Sequence, residues 1–209
     1  AQCLVGSEMC IRDRHKMYEA EIASRTPRTS FFNCLKNSAK QFYIRRGEGM
    51  YLISGFPWGV VLARNTFMAL PGLTLAIDHR ADFEAIMETA LKALIEYADS
   101  GRTSKTIQGI DLPDIPLWAL WAIQQYAKNV GRDAAAEKYL QPVAQILDYI
   151  LRGGHPNLFV DAQSGLLSTD GHLKPASWMN SVLNGEPVVK RTGKLVEFNA
   201  LWYLSLIHI

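Results

Sequence analysis

The stretch Asp111-Leu-Pro-Asp-Ile-Pro-Leu-Trp-Ala-Leu-Trp-Ala-Ile-Gln-Gln-Tyr126 constrains this chain more than any other. Two carboxylates and two prolines open it, after which Leu117, Trp118, Leu120, Trp121, Ala122 and Ile123 run round every face of a helical wheel. A single apolar stripe seats a helix on a surface, whereas an apolar circumference requires a helix wrapped by others. The spacing predicts a helix from Ile115 to about Asn129, with Pro116 in its first turn and Asp114 placed to accept from its free backbone N–H groups. A carboxylate therefore stands at the mouth of a buried helix, which is where chemistry is sought first.

Composition narrows the rest. The 209 residues suffice for one sizeable core, and 48% apolar with 20% charged residues is an ordinary globular balance. A net charge of +2 gives no case for nucleic acid or an anionic membrane as partner. No apolar run reaches the length of a membrane span. Cys3, Cys10 and Cys34 have neither zinc-ligand spacing nor the pattern of a disulfide framework, which fits a reducing, cytoplasmic setting. Gln2–Arg14 and Leu204–Ile209 have the look of translated sequencing-library adapters. Residues 1–14 and 204–209 are accordingly set aside as non-native, leaving 15–203 as the domain, expected to be a fragment and inactive alone. A genuine N-terminal arm is the other reading of residues 1–14.

Along the chain, Ser30 is placed to cap a helix from Phe31 to about Arg45, with Phe32, Leu35, Ala39 and Phe42 as its stripe. Arg45–Gly49 reads as a tight turn and Met50–Ser54 as a short strand, before Gly55-Phe-Pro-Trp58 breaks the pattern. Asn65–Ile77 is a second apolar helix, in which Pro71 and Gly72 predict a kink or break, with Phe67 and Leu70 in the core. Ala81–Ala98 is amphipathic, with Phe83, Ile86, Met87, Ala90, Leu91, Leu94 and Ile95 on one side. After the opening stretch, whose Leu117, Trp118 and Trp121 read as core, Asp133 is expected to cap another amphipathic helix ending near Arg152-Gly153-Gly154. Residues 155–195 are dense in turn signals and predict short strands and loops; Leu195–Tyr203 then begins another apolar helix. Buried and amphipathic helices alternate, as two concentric helical layers require. A solenoid would also alternate, but its repeats would share a fixed period, and none is seen.

Taken in order, Gly55-Phe-Pro-Trp58, Arg64-Asn-Thr-Phe-Met-Ala-Leu-Pro-Gly-Leu-Thr-Leu75, Asp114-Ile-Pro-Leu-Trp118, Trp178-Met-Asn180 and the run from Pro187 to Tyr203 resemble the amylo-α-1,6-glucosidase catalytic domain of glycogen debranching enzymes. The resemblance covers essentially residues 16–203. It implies an all-α fold, here a partial (α/α)6 barrel or toroid with a small strand-and-loop insertion. It also implies hydrolysis of α-1,6-linked glucose at branch points of glycogen or a similar α-glucan, with no metal or organic cofactor.

The resemblance carries particular residues with it. Asp114 matches the aspartate taken as general acid, since a glycosidase needs one carboxyl to protonate the leaving oxygen and one carboxylate to activate water. Asp111 and the walls of Trp118 and Trp121 would favour its protonated form, and the helix N-terminus would oppose that. A plain N-cap aspartate is the alternative. Arg64 matches the first member of an Arg-Asp pair that holds hydroxyls of the terminal glucose; the second member here is Asn65, which accepts a hydrogen bond but without charge. Trp58 and Trp178 are candidate platforms for sugar rings or else packing residues. Asn180 stands where many members carry an aspartate, so it counts as a binding candidate. Glu197, with Arg191 before it, repeats the placement of a carboxylate at a helix mouth and is read as substrate-binding, with a base role as the lesser option; the family's base is expected in later helices.

His79, His155 and His172 share no metal spacing, and no Walker loop, dinucleotide fingerprint or Gly-x-Ser-x-Gly is present. Three rival readings stay open. They are another (α/α)6 glycosidase of glucoamylase or trehalase type, a glucan-binding protein that has lost catalysis (suggested by Asn65), and a helical scaffold for other proteins.

Overall fold

A computed structural model describes residues 2–207 of the chain, with side chains over 11–207. Ala1, His208, Ile209 and the side chains of residues 2–10, all within the two end segments set aside above, lie outside the described residues. The chain divides into two units, residues 1–41 and 42–209.

The first unit holds α1 (Gln2–Ser24) and α2 (Phe31–Lys40). Ser30 caps α2 as its position predicts: it is extended, and its side chain accepts from the Asn33 N–H at 3.2 Å. Asn37 holds the preceding link, accepting from the Thr26 N–H at 3.0 Å and donating to the Thr26 carbonyl at 2.8 Å. The helix stops at Lys40, short of the expected Arg45, and only part of the expected stripe holds: Ala39 is buried and Phe42 partly so, whereas Phe32 and Leu35 are exposed. The physical reason lies just beyond. Tyr43–Arg46 is strand β1, paired antiparallel with β2 (Gly49–Leu52), so an aromatic and a β-branched residue enter a ladder instead of a last helical turn. Gly47, at φ 59°, makes the hairpin turn that a side chain would strain.

In the second unit a pair of very short parallel strands, β3 (Val61–Leu62) and β4 (Ile107–Gln108), has a positioning role. Each leads into a helix, α3 (Ala63–Leu73) after β3 and α5 (Ile115–Val130) after β4, so parallel pairing brings the two helix starts together. α3, α5 and α7 (Val196–Ile207) pack in a row with α5 in the middle. α4 (Arg80–Ser100) and α6 (Arg132–Leu151) form a second layer, α4 against α3 and α6, and α6 against α5. The unit is thus mostly helical and two-layered. The strand pairs, including β5–β6 (Phe159–Val160 with Leu167–Ser168) and β7–β8 (Val182–Leu183 with Glu186–Pro187), are too small to carry it.

Burial follows the sequence patterns closely. On α5, Ile115, Leu117, Ala119, Leu120, Ala122, Ile123 and Tyr126 are all buried, which covers most of the wheel but not the expected full circumference: the face bearing Trp118, Trp121 and Gln125 is only half-buried. Enclosing each of the larger aliphatic side chains stabilises the fold by roughly 1.5–3 kcal/mol. Trp118 and Trp121 are an exception to the expected core: both are half-buried and meet edge to face with ring centroids 5.6 Å apart. α4 buries the expected stripe from Phe83 to Leu94, leaving Ile95 partly exposed. α3 ends at Leu73, two residues past Pro71, and a 3-10 turn (Leu75–Ile77) replaces the rest of the expected helix, because proline withholds an N–H from the ladder. α6 begins at Arg132 behind Gly131 at φ 95°, so Asp133 lies in the first turn and is not the cap; the helix dipole still favours its charge there. Among the described residues, no helix is long and apolar enough to cross a membrane.

Candidate active site

The start of α5 decides what Asp114 faces. Asp114 has helical dihedrals (φ −85°, ψ −11°), and its side chain caps nothing, contrary to expectation. The need for a cap is met otherwise: the Ile115 N–H donates to the Leu112 carbonyl at 3.2 Å, and Pro116 has no N–H to satisfy. The carboxylate is thereby left for Arg64, in the first turn of α3. Arg64 Nε donates to Asp114 Oδ2 at 2.6 Å and Nη2 donates to Oδ1 at 2.9 Å. Trp118, one turn into α5, donates its indole N–H to Oδ2 at 3.2 Å. Asp114 is 2% exposed and Arg64 is 7% exposed. A planar guanidinium matching both carboxylate oxygens is the strong form of an ion pair, and burial in this setting removes the competition of water. Trp118, expected in the core, is therefore part of this cluster; its i, i+4 spacing from Asp114 on a helix was the signal for it.

Behind the turn, His155 is buried. The Asn157 N–H donates to its Nδ1 at 2.9 Å, which makes Nδ1 the acceptor and leaves the proton on Nε2, 3.1 Å from the Asp111 carbonyl. Burial pushes the His155 pKa below the usual histidine range, and the Asp111 carbonyl together with the Asp111 and Asp114 charges works against that shift. Asp111 itself is half-buried.

A second pair forms at the start of α7. Arg191 donates from Nη2 to both oxygens of Glu197, and its Nη1 lies 3.8 Å from the Met179 sulfur in the Trp178-Met-Asn180 stretch. The Arg191 Nε is buried and has no acceptor. The backbone of Arg191 is fixed by close approach: a Cβ on Gly171 would sit 2.2 Å from the Arg191 carbonyl oxygen. Gly171→Ala is expected to cost about 1–3 kcal/mol of stability as this packing opens, read as a lowered urea midpoint. An unchanged midpoint would mean that the two segments separate freely.

The remaining sequence candidates are open to solvent. Trp58 is 91% exposed on the 54–60 loop, Trp178 is 55% exposed, and Asn65 and Asn180 are exposed as well. The structure thus joins Arg64, Asp114 and Trp118 in one cluster and Arg191 with Glu197 in another, and it leaves Trp58, Asn65, Trp178 and Asn180 at the surface. A cavity of about 100 Å³ between α5 and α6, lined by Ile123, Gln124, Tyr139 and Val143 among others, includes neither Asp114 nor Arg64. With no carboxyl in its lining it offers no proton donor of the kind glycoside hydrolysis needs. Among the described residues, no three His, Cys, Asp or Glu side chains are grouped as a metal ion would require.

A family model described as amylo-alpha-1,6-glucosidase matches residues 37–209, which take in every candidate residue above. No curated protein matches the chain.

Proposed function

We propose residue roles for this chain, which belongs to the amylo-α-1,6-glucosidase family and is a glycoside hydrolase of the glycogen-debranching type. Asp114 is the general acid that protonates the oxygen leaving an α-1,6 branch point of glycogen or a similar glucan. Water attacks the anomeric carbon from the opposite face, with inversion, giving its proton to a second carboxylate that acts as the general base. The observation that carries this reading is the burial of one carboxylate at the start of α5, within the family-matched segment, with donors on both its oxygens.

The geometry states what the acid must do. A carboxyl gives up a proton only from an oxygen that carries one, so one oxygen has to leave the guanidinium. Oδ1, with its single 2.9 Å contact, is held less than Oδ2 with two. On this reading Arg64 turns donors toward hydroxyls of the terminal glucose as the sugar arrives, and Oδ1 becomes the proton-bearing atom. Trp58 and Trp178, being exposed, offer ring faces to the glucan. Asp111, Asn180, Arg191 and Glu197 contribute polar contacts to it. The two helical layers belong to an (α/α)6 barrel, and the setting is cytoplasmic.

Asn65 supplies a sharp check on the sugar contacts. Asn65→Asp is expected to lower KM by about 5- to 30-fold, the equivalent of the roughly 1–2 kcal/mol that charge assistance adds to a hydrogen bond. An unchanged KM would remove residue 65 from the sugar contacts. The function itself is tested by glucose release from a branched limit dextrin set against linear malto-oligosaccharides and trehalose. Release from the branched substrate is expected where these residues stand in a whole glucosidase domain; release by this chain by itself would overturn the expectation that it is inactive alone. Preference for the linear chain or for trehalose would favour a glucoamylase or trehalase activity, and glucan binding without any release would favour a protein that has lost catalysis.

A further inference from the structure

His155 lies outside the two carboxylate clusters, yet its hydrogen bonds run toward both. On one side its Nε2–H donates to the Asp111 carbonyl, three residues before Asp114 in the turn that leads into α5. On the other side Nδ1 takes the Asn157 N–H, and Asn157 is itself tied firmly into the next segment. Its amide donates to the Asp170 carbonyl at 2.7 Å and accepts from the Asp170 N–H at 2.8 Å, and its own carbonyl accepts from the Thr169 hydroxyl at 2.7 Å. Thr169 exchanges two backbone hydrogen bonds with Gly193, and the Gly171 N–H donates to the Thr192 hydroxyl at 3.0 Å. Arg191, the partner of Glu197, is next in the chain.

We infer that His155 is a positioning residue that ties the Asp111–Asp114 turn to the segment bearing Arg191, and so sets where the Asp114 carboxyl points. The inference rests on the assignment of Asp114 as acid. The ring can do this because it is a rigid two-ended connector. It is buried, it lies edge-on to Tyr97 and Tyr149 at centroid distances of 6.3 and 6.2 Å, and it meets a donor with one nitrogen and an acceptor with the other. Only the neutral imidazole fits that pattern. A proton on Nδ1 would face the Asn157 N–H donor to donor and break the connection. The groups facing the ring are the Asp111 and Asp114 carboxylates, which favour that proton, and the Tyr97 and Tyr149 rings, the latter under Arg152.

The sign of the pH effect follows. A histidine held neutral by burial contributes stability that is fully present above the pKa of the unfolded chain and is lost as pH falls toward the lowered folded value. The loss therefore sets in as pH falls through the ordinary histidine value and is complete below the folded pKa.

The decisive experiment needs no variant. In 15N-labelled protein, His155 is expected to be neutral with its proton on Nε2. As pH is lowered, the Trp118 indole N–H cross-peak, which reports the bond to Asp114, should move with the same midpoint as His155. An indole peak that ignores the His155 titration overturns the inference. Two variants add a kinetic readout. Asparagine at 155 can still accept from the Asn157 N–H but is too short to reach Asp111, whereas glutamine reaches Asp111. Expected for His155→Asn is a shifted indole peak and a kcat lowered about 10-fold with KM within twofold, since small misplacements of a reacting group are costly. His155→Gln keeps the Asp111 end but gives up the acceptor for the Asn157 N–H, so its kcat and indole peak should fall between those of the parent and of His155→Asn. A His155→Asn protein that melts earlier but keeps the parental indole peak and kcat would make His155 merely structural and overturn the inference. If Asp114→Asn retains hydrolysis, the acid assignment fails, while the indole peak still decides the positioning.

Discussion

Asp114→Asn is expected to lower glucose release from a branched limit dextrin by about 100- to 10,000-fold, the range over which a positioned acid contributes to catalysis. The substitution keeps shape and removes the transferable proton, so glucan binding should stay within a few-fold of the parent. Electrostatics complicates the variant in a predictable way. Arg64 is 7% exposed and keeps its charge, while an amide offers it one acceptor where the carboxylate offered two. The Trp118 indole competes for the same oxygen. The variant should therefore also melt earlier, and activity has to be compared well below its transition, with glucan binding as the check on folding. Hydrolysis within tenfold of the parent in a folded, glucan-binding variant would take Asp114 out of the acid role.

The largest stability effect belongs to the other partner. Arg64→Met should cost about 3–5 kcal/mol of unfolding free energy, because it leaves the Asp114 carboxylate, 2% exposed, without its counter-charge. The Coulomb attraction of the intact pair is offset by the desolvation of both ions, so the pair itself is a weak source of net stability. Breaking it is different, since one desolvated ion is left without a counter-charge, its Trp118 indole donor alone remaining. The double variant Arg64→Met/Asp114→Leu separates the two effects: with both charges gone it should recover most of the loss seen for Arg64→Met alone. Urea unfolding of the two singles and the double closes the cycle. A loss below about 1 kcal/mol for Arg64→Met would show that water reaches Asp114 once the guanidinium is gone. A double variant no better than the single would place the cost in packing and not in charge.

The expectations that held best were those tied to periodicity. The stripe on α4 and most of the buried surface of α5 were legible, because a helix repeats its faces every 3.6 residues and burial must obey that repeat; the Trp118–Trp121 face of α5, expected in the core, is half-buried. The Ser30 cap was legible too, since its partner is three residues away. Errors gathered where a distant segment competes with a local preference. Tyr43–Arg46 continues a plausible helix until β2 offers it a ladder. Asp114 is a plausible cap until a guanidinium fifty residues earlier in the chain is brought within 2.6 Å of it.

His155 shows the same boundary from the other side. In the sequence it is one residue of a His-Pro turn, with no metal spacing and no periodic neighbours. Its importance comes from the Asp111 carbonyl, 44 residues away, and from two tyrosines on separate helices. What the chain alone settled is which surfaces must be hidden, the order of the helices, and the family those helices and motifs belong to. Local spacing suffices for that, because each requirement is written within a turn or two of itself. Which charge faces which carboxylate, and which ring bridges two loops, depended on parallel β3–β4 pairing and on the packing of α3 beside α5. Those contacts join residues that no local pattern links, so they exist only once the helices have met.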